Sequence, residues 1–171
     1  MMIDILNYPD IRLKKCGDFV SDINDSYVQK MIADMFETLY NTKDCCGLAS
    51  TQMNFESPLA ITVIDVSPQK NEPRCLVNPI IIESKGHTHY REGCMSVYPS
   101  FIDAAVKRAE WVKVEALNEK GEKIVIESAD FLAKCLQHEI DHLNGKLYLD
   151  LLPRFRREKI DKKIKKLLKK T

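Results

Sequence analysis

Residues 137–145 read QHEIDHLNG, with His138 and His142 four apart and Glu139 directly after the first. On a helix, positions i and i+4 share a face, so both imidazoles can reach one ion. Glu139 then stands beside the first ligand, where a carboxylate can take the proton of an activated water. A site of this kind needs a third protein ligand and one position left for water or substrate. The chain offers several. The protease pattern HExxHxxGxxH is met at Gly145 but ends on Tyr148, and the nearest downstream glutamate, Glu158, sits in a strongly basic stretch. His87 and His89 in GHTHYRE alternate along an expected strand and so share a side, making them a possible pair. Cys94 in EGCMS lies among small residues that let backbone come close to an ion. Its thiolate is a strong ligand for zinc or iron(II).

These residues need elements to hold them. Val28, Met31, Ile32, Met35, Phe36 and Leu39 recur at three and four residues, the pattern of an amphipathic helix. PLAITVIDV and CLVNPIIIES are β-branched runs bounded by turn formers, hence strands. WVKVEAL and KIVIES flank NEKG and predict a hairpin. A second helix carries the HExxH residues. Ser128 is its expected cap, Phe131, Leu132, Cys135, Leu136, Ile140 and Leu143 its buried stripe, and Gly145 its stop. Pro153 opens a last helix with a narrow stripe of Ile160, Ile164, Leu167 and Leu168. Strands come mostly between the helices, so the class is α+β rather than alternating βαβ.

The 171 residues, 44% hydrophobic and 30% charged, fit one domain. Its expected catalytic part is 1–153, with 154–171 as a helical extension. No apolar run approaches the roughly 20 residues needed to cross a bilayer, and MMIDILNYPD lacks a signal-peptide layout. Six scattered cysteines are therefore expected as reduced thiols in a cytoplasm. The net charge of +1 conceals an asymmetry: residues 154–171 hold ten Lys or Arg against two acids, +8, and the first 153 carry −7. Such a tail is either a solvated helix or a surface for a polyanion such as RNA.

EGCMS and QHEIDHLNG together resemble the EGCxS and HExxH motifs of peptide deformylases. The family's first motif, GxGLAAxQ, is approached by residues 45–52, CCGLASTQ, and the three occur in the family's order. PDIRLKK, DMFETLY, VIDV and LVNPIII resemble the flanks, so the resemblance spans essentially the whole chain. It implies strands, mixed or antiparallel, wrapped around a central HExxH helix. It implies Cys94, His138 and His142 as ligands of one divalent metal, iron(II) foremost, with zinc, nickel or cobalt as substitutes. It also implies Glu139 as general acid and base, Gln52 and the Met95 backbone N–H as oxyanion donors, and Gly47 and Gly93 as substrate-binding positions. The implied reaction removes the formyl group from the N-terminal formylmethionine of new polypeptides and releases formate. A nascent-chain substrate makes ribosomal RNA near the exit tunnel the expected partner of residues 154–171, with no membrane involved.

The sequence also departs from the pattern. Cys45 stands where the family has a glycine and Ser50 where it has an alanine, so Cys45 bends the substrate-facing loop if positive φ or backbone access is required there. VYPSFIDAAVKR carries an extra residue before its proline, and Asp103 lies near a position where bacterial members often have arginine. These positions touch peptide preference and efficiency rather than metal chemistry. Two rivals accompany the deformylase expectation: another amidase or peptidase using the same centre, and an RNA-binding protein whose metal is structural, for which a fourth ligand is expected.

Overall fold

In a computed structural model, which describes residues 1–170, the alternation of apolar side chains decides which layer each strand serves. The chain enters helix α1, Ser26–Asn41, whose first turn is capped by the Asp25 carboxylate accepting from Tyr27 N–H at 2.8 Å. Strands β1 (Gly47–Ala49), β2 (Ile61–Ile64) and β3 (Arg74–Lys85) follow, then β4 (Thr88–Glu92) and β5 (Ala104–Arg108), then β6 (Trp111–Leu117) and β7 (Lys123–Ser128). Helix α2, Phe131–Leu143, carries the HExxH residues, and α3, Arg154–Lys169, ends the described chain.

Five strands form one antiparallel sheet in the order β1-β2-β3-β6-β7, and β4 with β5 forms a separate antiparallel ribbon. Because successive strand residues point to opposite faces, the sheet serves two helices. Ile61, Val63, Cys75 and Val77 pack with Val28, Met31, Ile32, Met35 and Leu39 of α1. Ile64, Leu76, Val112, Val114, Ala116 and Ile126 pack with Ala133, Cys135, Leu136 and Ile140 of α2. A third cluster joins Cys94, Val97, Ile102, Ala104 and Val106 to Leu147, Tyr148, Leu149, Leu152 and Ile164. The α+β architecture and the α2 helix at its centre agree with the expectation from sequence.

Two details differ. Ser128 does not cap α2: it still pairs with Val112 at the end of β7, and the cap is Asp130, which accepts from Leu132 N–H at 3.1 Å. The Ser128 hydroxyl instead donates to that same carboxylate at 2.6 Å. Phe131 leaves the buried stripe and is 44% exposed, tilted against Tyr90 with ring centroids 6.1 Å apart. It is the first residue of the helix, ahead of the turn that meets the sheet. Gly145 does end α2, at φ 73°, with the Lys14 carbonyl oxygen 2.3 Å from where a Cβ would stand. Pro153 precedes α3, where Ile164 is buried and Ile160 and Leu167 pack partly against the third cluster, while Leu168 is 45% exposed. Among the described residues no helix is long and apolar enough to cross a membrane.

Candidate active site

Helix geometry places His138 and His142 on one face of α2, and the sheet contact made by Leu136 and Ile140 turns that face toward the segment after β4. Two residues beyond Glu92, where β4 ends, Cys94 comes against them. The Sγ of Cys94 lies 3.3 Å from His142 Nε2, which lies 3.1 Å from His138 Nε2. The three donor atoms all fall within 4.8 Å of one another. A tetrahedral ion with bonds of about 2.0–2.3 Å separates its donors by about 3.3–3.7 Å, so this set of one thiolate and two imidazoles fits a divalent metal with a position to spare. Burial pushes His142 well below the usual imidazole range, toward the neutral form that binds metals. His87 and His89 are exposed and do not join the cluster, and His87 instead lines a separate polar hollow with Lys107 and Asp141.

Around the cluster runs a buried chain of charge that single-residue inspection misses. His138 Nδ1 lies 2.7 Å from Glu92 Oε1, a carboxylate placed where it can orient the imidazole ring. Glu92 in turn accepts two bonds from Arg108, at 2.6 and 2.9 Å, and Arg108 reaches Asp141 at 2.6 Å. Burial raises the Glu92 pKa, but the bonds from Arg108 and His138 outweigh it and hold the carboxyl down at about 2. The only sequence signal was Glu92 itself, two residues before Cys94. Its partners are 16 and 46 residues away and no spacing announces them.

Glu139 faces a cleft of about 720 Å³ that Gly47, Gln52, Gly93, Cys94, Met95 and His138 also line. Its Oε2 is buried and has no hydrogen-bond partner among the described residues. Burial pushes its carboxyl up to about 8, the range of a group that exchanges protons near neutrality. A Cβ on residue 47 would stand 3.0 Å from Glu139 Oε1 and 3.1 Å from Cys135 Sγ, so glycine lets the first motif close on the carboxylate. Gln52 is held at both ends of its amide: Oε1 accepts from Ala49 N–H at 2.9 Å and Nε2 donates to Ser96 Oγ at 3.1 Å. The Thr51 hydroxyl donates to the His142 carbonyl at 2.6 Å, tying the first motif to the third.

The departures resolve locally. Cys45 does not bend the loop, because the positive φ of 55° falls on Asp44, and the Cys45 thiol is buried in the α1 core. Ser50 bonds through its hydroxyl to the Leu59 carbonyl. In the altered segment Tyr98 takes φ 43°, and its carbonyl accepts from both Phe101 and Ile102 N–H at 2.9 Å. Asp103 pairs with Arg91 at the mouth of the cleft.

A profile described as polypeptide deformylase matches residues 2–158. The chain is 48% identical over 166 residues to peptide deformylase 1 of Coxiella burnetii, covering 97% of this chain and 96% of that one. It is 45% identical to a peptide deformylase of Neisseria gonorrhoeae, covering 99% and 98%. Among solved structures, a peptide deformylase from Legionella pneumophila superposes with a TM-score of 0.89 at 39% identity, covering 99% of this chain and 96% of that one. With the profile across the fold and the three motifs gathered at one cleft, the chain belongs to the polypeptide deformylase family.

Proposed function

We propose that this chain hydrolyses the N-terminal formamide of formylmethionyl polypeptides, releasing formate, at the cleft between the first motif and α2. The observation that carries this is the convergence of Cys94, His138 and His142 beside a buried carboxylate with an unpartnered oxygen. Cys94, His138 and His142 would hold the metal, iron(II) in the cell, with zinc, nickel or cobalt able to replace it. A divalent ion held there supplies a Lewis acid that polarises the formyl oxygen and acidifies water to near neutrality. Glu139 takes the proton of the attacking water and returns it to the departing amine. Its buried oxygen suits both halves of that transfer. Gln52, with its carbonyl end anchored on Ala49, offers its NH₂ to the charge that develops on the formyl oxygen, and the Met95 N–H is the second donor. Gly47 and Gly93 keep the cleft wall low enough for a peptide backbone to approach.

The catalytic unit on this proposal is residues 1–153, with 154–171 as an extension of the same domain. Ribosomal RNA is the partner proposed for α3: its lysines point outward while Ile164 is buried. The protein would then act in the cytoplasm, where nascent chains emerge. A formate-release assay on metal-loaded protein tests the reaction. Formyl-Met-Ala should be cleaved, and acetyl-Met-Ala and unblocked peptides should not. Equal cleavage of the acetylated peptide would mark a general amidase instead.

A further inference from the structure

Of the six cysteines, two share the wall of the cleft outside the metal cluster. Cys45 and Cys75 are buried in the α1 core, Cys16 is exposed, and Cys94 belongs to the cluster. Cys46 immediately precedes β1 and is partly buried, whereas Cys135 stands on α2 one turn before His138, and both line the cleft. The two thiols are near enough for each to shift the acidity of the other. The close packing of β1 on α2 brings this about, since glycine at 47 lets the Cys135 sulfur press against the strand. That sulfur and the Glu139 carboxylate crowd the same point.

We propose that Cys46 and Cys135 form a reversible modification site, a dithiol in the substrate cleft that a hydroperoxide converts to a disulfide. Three features favour the chemistry. The thiols line one cleft wall, with the Cys135 sulfur packed against the residue that follows Cys46; the partly buried Cys46 faces the cleft, open to a small oxidant; and Cys135 stands near it to resolve the product. The neighbouring Cys135 thiol and the charge of Lys70 draw the Cys46 thiol below its ordinary range against the effect of burial, which favours Cys46 as the nucleophile of the pair. The Cys46 thiolate attacks one peroxide oxygen, the O–O bond breaks, and hydroxide leaves, giving a sulfenic acid. Cys135 sulfur then attacks Cys46 sulfur, the S–O bond breaks, and water departs with the Cys135 proton. Both sulfurs are oxidised together by two electrons and one hydrogen peroxide is reduced to two waters.

An S–S bond of about 2.05 Å is much shorter than any non-bonded approach of two sulfurs. Its formation draws β1 and α2 together next to Glu139. That shift misplaces the proposed acid and base, so turnover falls while the metal stays. This consequence rests on the proposed function, whereas the modification itself does not.

The test uses the full chain loaded with zinc, which is not itself oxidised, and treated with one equivalent of hydrogen peroxide. Intact mass should fall by about 2 Da, and a non-reducing digest should contain a peptide pair joined through Cys46 and Cys135. Formate release should drop roughly tenfold or more and return on treatment with a phosphine reductant. Cys46→Ser and Cys135→Ser proteins should form no such link and should keep their own untreated rates after peroxide. Inactivation without a 46–135 link, shared by both variants, would overturn the proposal and place the oxidation at Cys94. Should one variant fail to fold, the other and the wild-type digest still decide the matter. A link formed in a protein that never releases formate would refute the proposed function and leave the modification site standing.

Discussion

Cys94 is where ligand chemistry and core packing meet, since its sulfur reaches both histidines while its neighbours Val97 and Ile102 are buried in an apolar cluster. Cys94→Ala should therefore keep the fold and lose stoichiometric metal, as read by metal analysis of the purified protein. Full metal content with full activity would overturn the ligand assignment. Glu139→Gln separates holding from catalysis. The metal should remain and formate release should fall by about 10²–10⁴, the usual worth of a positioned acid and base. Near-normal turnover in that variant would sink the mechanism. Glu92 acts one step back, through the His138 ring. Glu92→Gln weakens the acceptor behind that ring and leaves Arg108 short of a charge, so metal affinity should drop by about 10- to 100-fold. Competition with a chelator measures it, and unchanged affinity would reduce Glu92 to a structural partner of Arg108.

Helix α2 depends on how it starts and stops, because its ends fix the register that aims two histidines and a glutamate. Asp130 supplies the start: its carboxylate accepts from Leu132 N–H and from the Ser128 hydroxyl, and those bonds hold its pKa below the usual carboxylate range. Asp130→Ala should cost about 1 kcal/mol in denaturant unfolding, the typical value of a lost cap. Ser128→Ala should cost less, because Ser128 contacts the cap without bonding the helix N–H. If the order of the two is reversed, Ser128 is the effective cap after all. The α2 stop is stricter, since Gly145 has both a positive φ and a backbone oxygen where a side chain would begin. Helix α3 holds its place through Ile164, which touches the cluster containing Cys94. Removing the helix would uncover the cluster that packs around Cys94, so truncation confounds docking with folding.

At the scale of the molecule the useful change is charge alone. Lys162, Lys165, Lys166 and Lys169 are exposed on α3, away from Ile164. Replacing these four by Gln should leave hydrolysis of short formyl peptides within about twofold, since the cleft is lined by none of them. Co-sedimentation with ribosomes should be largely lost, and in the unaltered protein it should weaken steeply as salt rises. Undiminished sedimentation of the quadruple variant would show α3 to be a solvated helix and nothing more. The field behind this is uneven, with +8 in residues 154–171 and −7 in the rest, so the molecule presents its positive end as one surface.

The sequence by itself determined the local and periodic features of this protein. Helical spacing put His138 and His142 on one face, alternation marked the strands, and Gly145 and Pro153 bounded the helices. Each of these depends on neighbours within a few residues, where backbone geometry alone relates positions. Motif resemblance pointed to Cys94, Gln52 and Met95, which line one cleft in the fold. Only the tertiary structure decided what no local rule encodes. It chose Cys94 over His87 and His89, passed the cap from Ser128 to Asp130, and turned Phe131 outward. It also set Arg108 behind Glu92 and brought Cys46 and Cys135 to one cleft wall. These outcomes follow from packing between segments tens of residues apart, where shared burial, rather than sequence distance, selects the partner.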